Sequence, residues 1–133
     1  MRRLVLLFLV VMAALAVAAC MTSADVLSDR PWKLAQVGGV APAAEGGLEF
    51  DVNGGFQVRT GCNSGGGTYA VKGDHIEFGV AGLTEMACPG GAGEQETAVL
   101  AVLASTPRFE IGTGTGVLKL IAPDGAMLQF VTP

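Results

Sequence analysis

The residues of this chain with the widest chemical reach are three cysteines, at positions 20, 62 and 88, each in a different setting. Cys20 follows Val17-Ala18-Ala19, small residues at the end of an apolar run, and such a cysteine is an acceptor for lipid. Cys62 and Cys88 then remain as an even pair, whose structural reading is a disulfide joining the two loops that hold them. Closing a loop of about 25 residues would stabilise the fold by roughly 3 kcal/mol in the chain-entropy model. Free buried thiols are the alternative. Zinc normally takes four protein ligands, or three and a water. Apart from the two cysteines only His75 is a strong candidate ligand, so neither a metal nor any other cofactor is expected. The two cysteines form no C-x-x-C motif, which argues against redox catalysis.

Other constellations are weaker. Asp74-His75 could activate a thiol at Cys62 or Cys88 if that thiol were free, of low pKa and within hydrogen-bond reach. A histidine on a surface hairpin is the simpler reading. Glu49 and Asp51 should share one strand face, with Glu77 placed similarly elsewhere. Paired carboxylates can do acid–base work, but alternating acids on an exposed face usually serve solvation. Gly61 to Thr68 lacks the Lys and the following helix of a phosphate-cradling loop, and reads as a hairpin connection. Gly112 to Gly116 lacks the helix of a dinucleotide fingerprint and reads as a turn. Asn63 is expected to cap the Cys62 loop through its amide, as Asn commonly does in turns, rather than to touch a ligand.

The elements that must position these residues begin after the first nineteen. Arg2 and Arg3 form a positive n-region, and Leu4 to Val17 an almost uninterrupted apolar stretch. Residues 1–19 are therefore read as a lipoprotein signal peptide cleaved before a diacylated Cys20, and residues 20–29 as a lipidated, mostly polar tether. A retained membrane span, which needs about 20 apolar residues, and an ordinary secretory signal are the alternatives. In a Gram-negative host, Met21 rather than Asp after the lipidated cysteine would favour the outer membrane, facing the periplasm. The chain from Cys20 to Pro133 is 114 residues, the size of one domain with one core. Without Arg2 and Arg3 its formal charge is −6 rather than −4, so it should repel nucleic acid. Its membrane partner is reached through the lipid.

The domain, residues 30–133, reads as α+β and mostly β. Strands are expected at Trp32 to Val37, Leu48 to Val52, Phe56 to Thr60, Thr68 to Val71, His75 to Phe78, Arg108 to Ile111, Val117 to Ile121 and Met127 to Val131. Leu48, Phe50 and Val52 alternate with Glu49 and Asp51 at period two, and Asn53-Gly54 then marks a hairpin. Eight short strands with glycine-rich turns point to an antiparallel sheet or a partly closed barrel. Trp32, Phe50, Phe56, Tyr69, Phe78 and Phe130 read as core. Trp32 and Tyr69 exposed together would instead mark a partner surface. One helix is expected at about 94–105, where Gly and Pro are missing. Val99, Leu100, Val102 and Leu103 form its apolar face, Glu94 and Glu96 its acidic first turn, and Pro107 its stop.

Together these residues resemble a known pattern. Gly61-Cys62-Asn63, a glycine-rich stretch, Tyr69, Gly73-Asp74, Thr84-Glu85-Met86-Ala87-Cys88-Pro89 and Glu94-Gln95-Glu96 stand in the order of the META domain, an HslJ-like family of envelope proteins. Trp32 and Val117-Leu118-Lys119-Leu120 fit as well, and the resemblance spans about residues 27 to 131. It implies a small β-rich domain with one helix, commonly a lipoprotein, linked to stress, antibiotic-resistance or motility phenotypes and without an established catalytic activity. Cys62 and Cys88 match the recurrent cysteines of the family. Gly65-Gly66-Gly67 departs from it, standing where bulkier residues are common. The reading that follows is a non-enzymatic, lipid-anchored protein of the bacterial cell envelope. It would serve stress tolerance or maintenance by binding another envelope component through a sheet face or loop end. The alternative is a small-ligand carrier with a cavity in a partly closed barrel. A third reading, a thiol enzyme, needs a free Cys62 or Cys88.

Overall fold

A computed structural model describes residues 22–28, 30–112, 114 and 116–133. The signal-peptide and Cys20 lipidation readings lie outside these residues. The order of elements is α1 (Ser23–Ser28), β1 (Trp32–Val37), β2 (Gly47–Phe50), β3 (Gly55–Arg59), β4 (Ser64–Lys72), β5 (His75–Leu83), α2 (Gly91–Ala104), β6 (Arg108–Gly112), β7 (Val117–Ile121) and β8 (Met127–Val131). All eight strands pair antiparallel with their sequence neighbours, and β8 returns to β1, which closes the barrel. No described helix is long and apolar enough to cross a membrane.

Period-two alternation turns one face of each strand inward. Leu48 and Phe50 of β2, Phe56 and Val58 of β3, Leu118 and Leu120 of β7, and Leu128 and Phe130 of β8 are all buried. Phe50 meets Tyr69 edge-on at 4.9 Å between ring centroids, and Phe56 meets Phe78 at 5.1 Å. The Tyr69 hydroxyl donates to the Asp51 carbonyl at 2.9 Å, so the ring is buried while its polar end is satisfied.

Three expectations change. Val52 is not the end of β2: it is 69% exposed and lies in a turn that runs from Asp51 to Gly55. Asp51 Oδ1 accepts the Asn53 N–H at 2.6 Å, so a side chain competes with the strand ladder and ends it early. The stretch Gly61 to Thr68 is not one long connection either, because β4 begins at Ser64. Gly65 and Gly66 lie in the ladder so close to neighbouring backbone that a Cβ would stand 2.0 Å from the Gly82 carbonyl oxygen and 2.4 Å from that of Phe56. A register shift between Gly66 and Gly67 marks a bulge there. Glycine in a strand often signals such close backbone approach, not a loop. Lastly, the stretch read as a polar tether contains α1, whose Leu27 is fully buried and whose carbonyl accepts the Trp32 indole N–H at 2.9 Å.

Closure is uneven around the barrel. β5 and β6 share one residue pair, His75 with Arg108, flanked by bonds from the Ile76 N–H to Pro107 and the Phe109 N–H to Asp74. Helix α2 connects these strands and buries Gln95, Val99, Val102 and Leu103. It starts at Gly91, three residues before the expected start, after Gly90 at φ 71°. It packs on β5 and, across the barrel, on the neighbouring strands β1 and β8.

If α1 belongs to the cooperative core, Leu27→Ala should lower unfolding stability in urea by about 2–5 kcal/mol. A shift under ~0.5 kcal/mol would reduce α1 to a surface attachment.

Candidate functional site

At the end of β3 the chain turns through Thr60-Gly61-Cys62-Asn63 and enters β4. Three other segments converge there: Ala44 from the β1–β2 connection, residues 84–88 after β5, and the first turns of α2. Their meeting is a network of polar contacts. Gln95 Nε2 donates to the carbonyls of Ala44 and Thr60 at 2.9 and 2.8 Å, while its Oε1 accepts the Ala44 N–H at 3.2 Å. Gly61 permits this arrangement. Its φ is +102°, and a Cβ there would lie 2.2 Å from Gln95 Nε2.

Asn63 and Glu96 form the centre. Asn63 is buried, and its Oδ1 accepts the Met86 N–H at 2.7 Å and the Thr84 hydroxyl at 2.9 Å. Its Nδ2 donates to the Met86 carbonyl at 3.2 Å and to Glu96 Oε1 at 3.0 Å. Glu96 Oε2 accepts the Thr60 hydroxyl at 2.5 Å and the Asn63 N–H at 3.1 Å. Thr60 Oγ1 in turn accepts the N–H groups of Cys62 and Asn63. These donors, Thr60 first and then Asn63, hold the Glu96 carboxyl below the usual carboxylate range. The Asn63 amide is thus not seen bonding the backbone of its own loop, as expected of a cap; it fixes the segment that carries Cys88.

Cys62 and Cys88 are joined as a disulfide, with Cα atoms 5.9 Å apart, inside the normal range for a bridge. The two sulfurs and a Glu96 carboxylate oxygen lie within 4.8 Å of one another, and all three residues are half-buried. His75 is elsewhere. It sits beyond the far end of β4, where its Nδ1 meets Asp74 at 2.7 Å, so the structure does not assemble the imidazole with either sulfur. The carboxylates also stay apart in role: Glu49 pairs with Arg59 at 3.3 Å, and Asp51 closes its turn. Trp32 and Tyr69 are core, and present no joint exposed surface.

Reading the sequence singles out Gly61, Cys62, Asn63 and Cys88, and misses Thr60, Gln95 and Glu96 as partners. A signal existed. Gln95 stands four residues before Val99, on the apolar stripe of α2, where a polar side chain needs a buried partner.

The META domain family model matches residues 25–133, and the chain belongs to that family. A protein from Burkholderia xenovorans solved by NMR has a similar structure, with a TM-score of 0.67 and 25% identity over 84% of this chain and 86% of that one. A second NMR structure aligns with a TM-score of 0.68 at 16% identity, over 84% of this chain and 96% of the other, which speaks to the fold alone. None of the curated proteins matches the sequence.

The depressed carboxyl makes a pH prediction. Stability from Glu96 should be complete above its ordinary value of 4.5 and lost as pH falls through its lower folded-state value. The urea midpoint of Glu96→Gln should therefore fall furthest below that of the native protein near neutral pH. The gap should close as both are acidified past that range. A gap independent of pH would remove the carboxylate's charge from the network.

Proposed function

We propose that this META-domain chain is a lipid-anchored, non-enzymatic module of the cell envelope that serves stress tolerance or maintenance by holding another envelope component. The observation that carries the anchoring is the N-terminal pattern, a basic pair, an apolar run and small residues before Cys20. Its geometry suits such an anchor. Helix α1 packs on β2, and Ser28 lines a groove with Glu49 to Val52 at the β2–β3 hairpin. The polar junction lies past the opposite end of β3, a five-residue strand spanning roughly 14–17 Å. A tether entering at the hairpin would thus leave the junction turned away from the bilayer.

The binding reading rests on what the junction presents and on what fills the interior. Val40 and Met86, each 66% exposed, belong to two connections that meet at the junction. The inside of the barrel is occupied by Trp32, Leu48, Leu118, Leu128 and Phe130 among others. A groove of about 500 Å³ at the β2–β3 hairpin is open to solvent, not an enclosed apolar chamber. A carrier with an interior cavity is correspondingly less well supported. With both sulfurs in a bridge and His75 distant, a thiol enzyme has no assembled nucleophile.

Intact mass of membrane-extracted protein, alkylated with and without prior reduction, tests the anchoring and the bridge together. The expected species begins at a lipid-modified Cys20 and labels at Cys62 and Cys88 only after reduction. An unlipidated chain would overturn the anchor, and labelling without reduction would restore the thiol readings.

A photo-crosslinker placed at Met86 should capture an envelope component in intact cells more efficiently than one at Val52, which is equally exposed at the hairpin. The reverse ranking would put the contact at the anchored end.

A further inference from the structure

We propose that Cys62, Cys88 and Glu96 form a site for a thiophilic divalent cation of the zinc class once the Cys62–Cys88 bridge is reduced. This inference stands independently of the anchoring and partner readings, because it rests on donor geometry alone. A Glu96 carboxylate oxygen lies within 4.8 Å of both bridge sulfurs, so opening the bridge frees two thiols beside it that need only separate to take one ion. They come from three segments, the β3–β4 turn, the β5–α2 connection and helix α2; the bridge joins the first two, and hydrogen bonds from Thr60 and Asn63 hold Glu96 beside them. Two thiolates and one carboxylate suit zinc or cadmium, with a fourth position left for water.

The surroundings have the character of an outer shell. Metal-bound carboxylates are usually fixed by further hydrogen bonds, which set their orientation. Here Glu96 Oε2 takes donors from Thr60 and from the Asn63 backbone, while Oε1 takes the Asn63 side chain. A carboxylate oxygen offers about two acceptor positions, so Oε1 retains capacity for an ion beside the sulfurs. Asn63 Nδ2 also lies 3.7 Å from Cys88 Sγ, and both the N–H and the carbonyl of Met86, two residues before Cys88, bond the same amide. The two bonds to Met86 do not involve the bridge sulfurs. They hold the Cys88 segment beside Cys62 after the sulfur–sulfur bond is opened.

The redox step balances as an ordinary exchange. A dithiol reductant gives two electrons and two protons to the bridge, becoming a disulfide itself, and Cys62 and Cys88 become thiols. Each thiol then releases its proton as the sulfur coordinates the cation. The oxidised protein has no thiolate to offer. The site is accordingly open to a chain that has not yet formed its bridge, or to one that a reductant has reached.

Cadmium is the probe, because thiolate-to-cadmium charge transfer is visible in the ultraviolet. The full chain in detergent is reduced, freed of reductant without oxygen and titrated with cadmium ion, with circular dichroism monitoring the barrel. The expected result is saturation at one ion per chain in the reduced protein and no charge-transfer band in the oxidised one. Glu96→Gln should keep the band and weaken binding tenfold or more, whereas the double variant C62S/C88S should lose the band. The cadmium-113 NMR shift of the native complex, which reports the donor set, should indicate two sulfurs with oxygen and so serves if Glu96→Gln does not fold. Absence of stoichiometric binding, or a reduced chain whose barrel is lost and is not recovered with cadmium, would overturn the proposal. So would binding unchanged in folded Glu96→Gln or in C62S/C88S, or a resonance from sulfur ligands alone.

Discussion

The barrel closes although β5 and β6 meet at one residue pair, and α2, which carries the chain from one of these strands to the other, must be seated for it to do so. A strand ladder normally satisfies the backbone and fixes the register between neighbours. The helix is seated by burying Val99, Val102 and Leu103, and it packs on β5, β1 and β8. Its position is then fixed at its start by Gln95 and Glu96, which bind the β1–β2 connection and the β3–β4 turn. A helix seated by apolar contact alone could slide or rotate, since hydrophobic attraction has no direction. Hydrogen bonds supply the direction.

The magnitudes divide the labour. Burying a large apolar side chain contributes about 1.5–3 kcal/mol, and the core holds Trp32, Leu34, Leu48, Phe50, Phe56 and Phe130 among many others. A hydrogen bond nets about 0.5–1.5 kcal/mol, more when one partner is charged. The junction is therefore a small share of total stability but a large share of specificity. An unpartnered Gln95 or Asn63 would cost about 1–3 kcal/mol, so alternative seatings of the helix that leave either amide unsatisfied are disfavoured.

The fold was legible in the sequence wherever local pattern and tertiary demand agree. The alternation in Leu48-Glu49-Phe50 and Val117-Leu118-Lys119-Leu120, and the glycine- and proline-bearing turns, give eight strands in nearly the right places. Legibility failed where a long-range contact overrides the local signal. Gly65 and Gly66 look like loop because glycine lacks a strand side chain, yet the Gly82 and Phe56 carbonyls leave no room for one. Leu27 stands in a stretch read as polar tether, yet it is fully buried and its carbonyl accepts the Trp32 indole N–H. The site divides in the same way. Cys62, Asn63 and Cys88 announce themselves by type, whereas Thr60 and Glu96 acquire their roles from segments more than thirty residues apart.

The bridge and the hydrogen bonds at the junction constrain the same two segments by different means. A disulfide acts mainly by limiting the unfolded chain, with a separation here of 26 residues. The Asn63 bonds to Thr84, Met86 and Glu96 instead act in the folded state, where they set which atoms face each other. Opening the bridge therefore removes the covalent restraint without removing the interactions that align Cys62, Cys88 and Glu96. Were the covalent bond the sole tie, reduction would release the Cys88 segment and scatter the three donors. Asn63 is instead buried and satisfied through side-chain oxygen and nitrogen alike, by bonds that include neither end of the sulfur–sulfur bond.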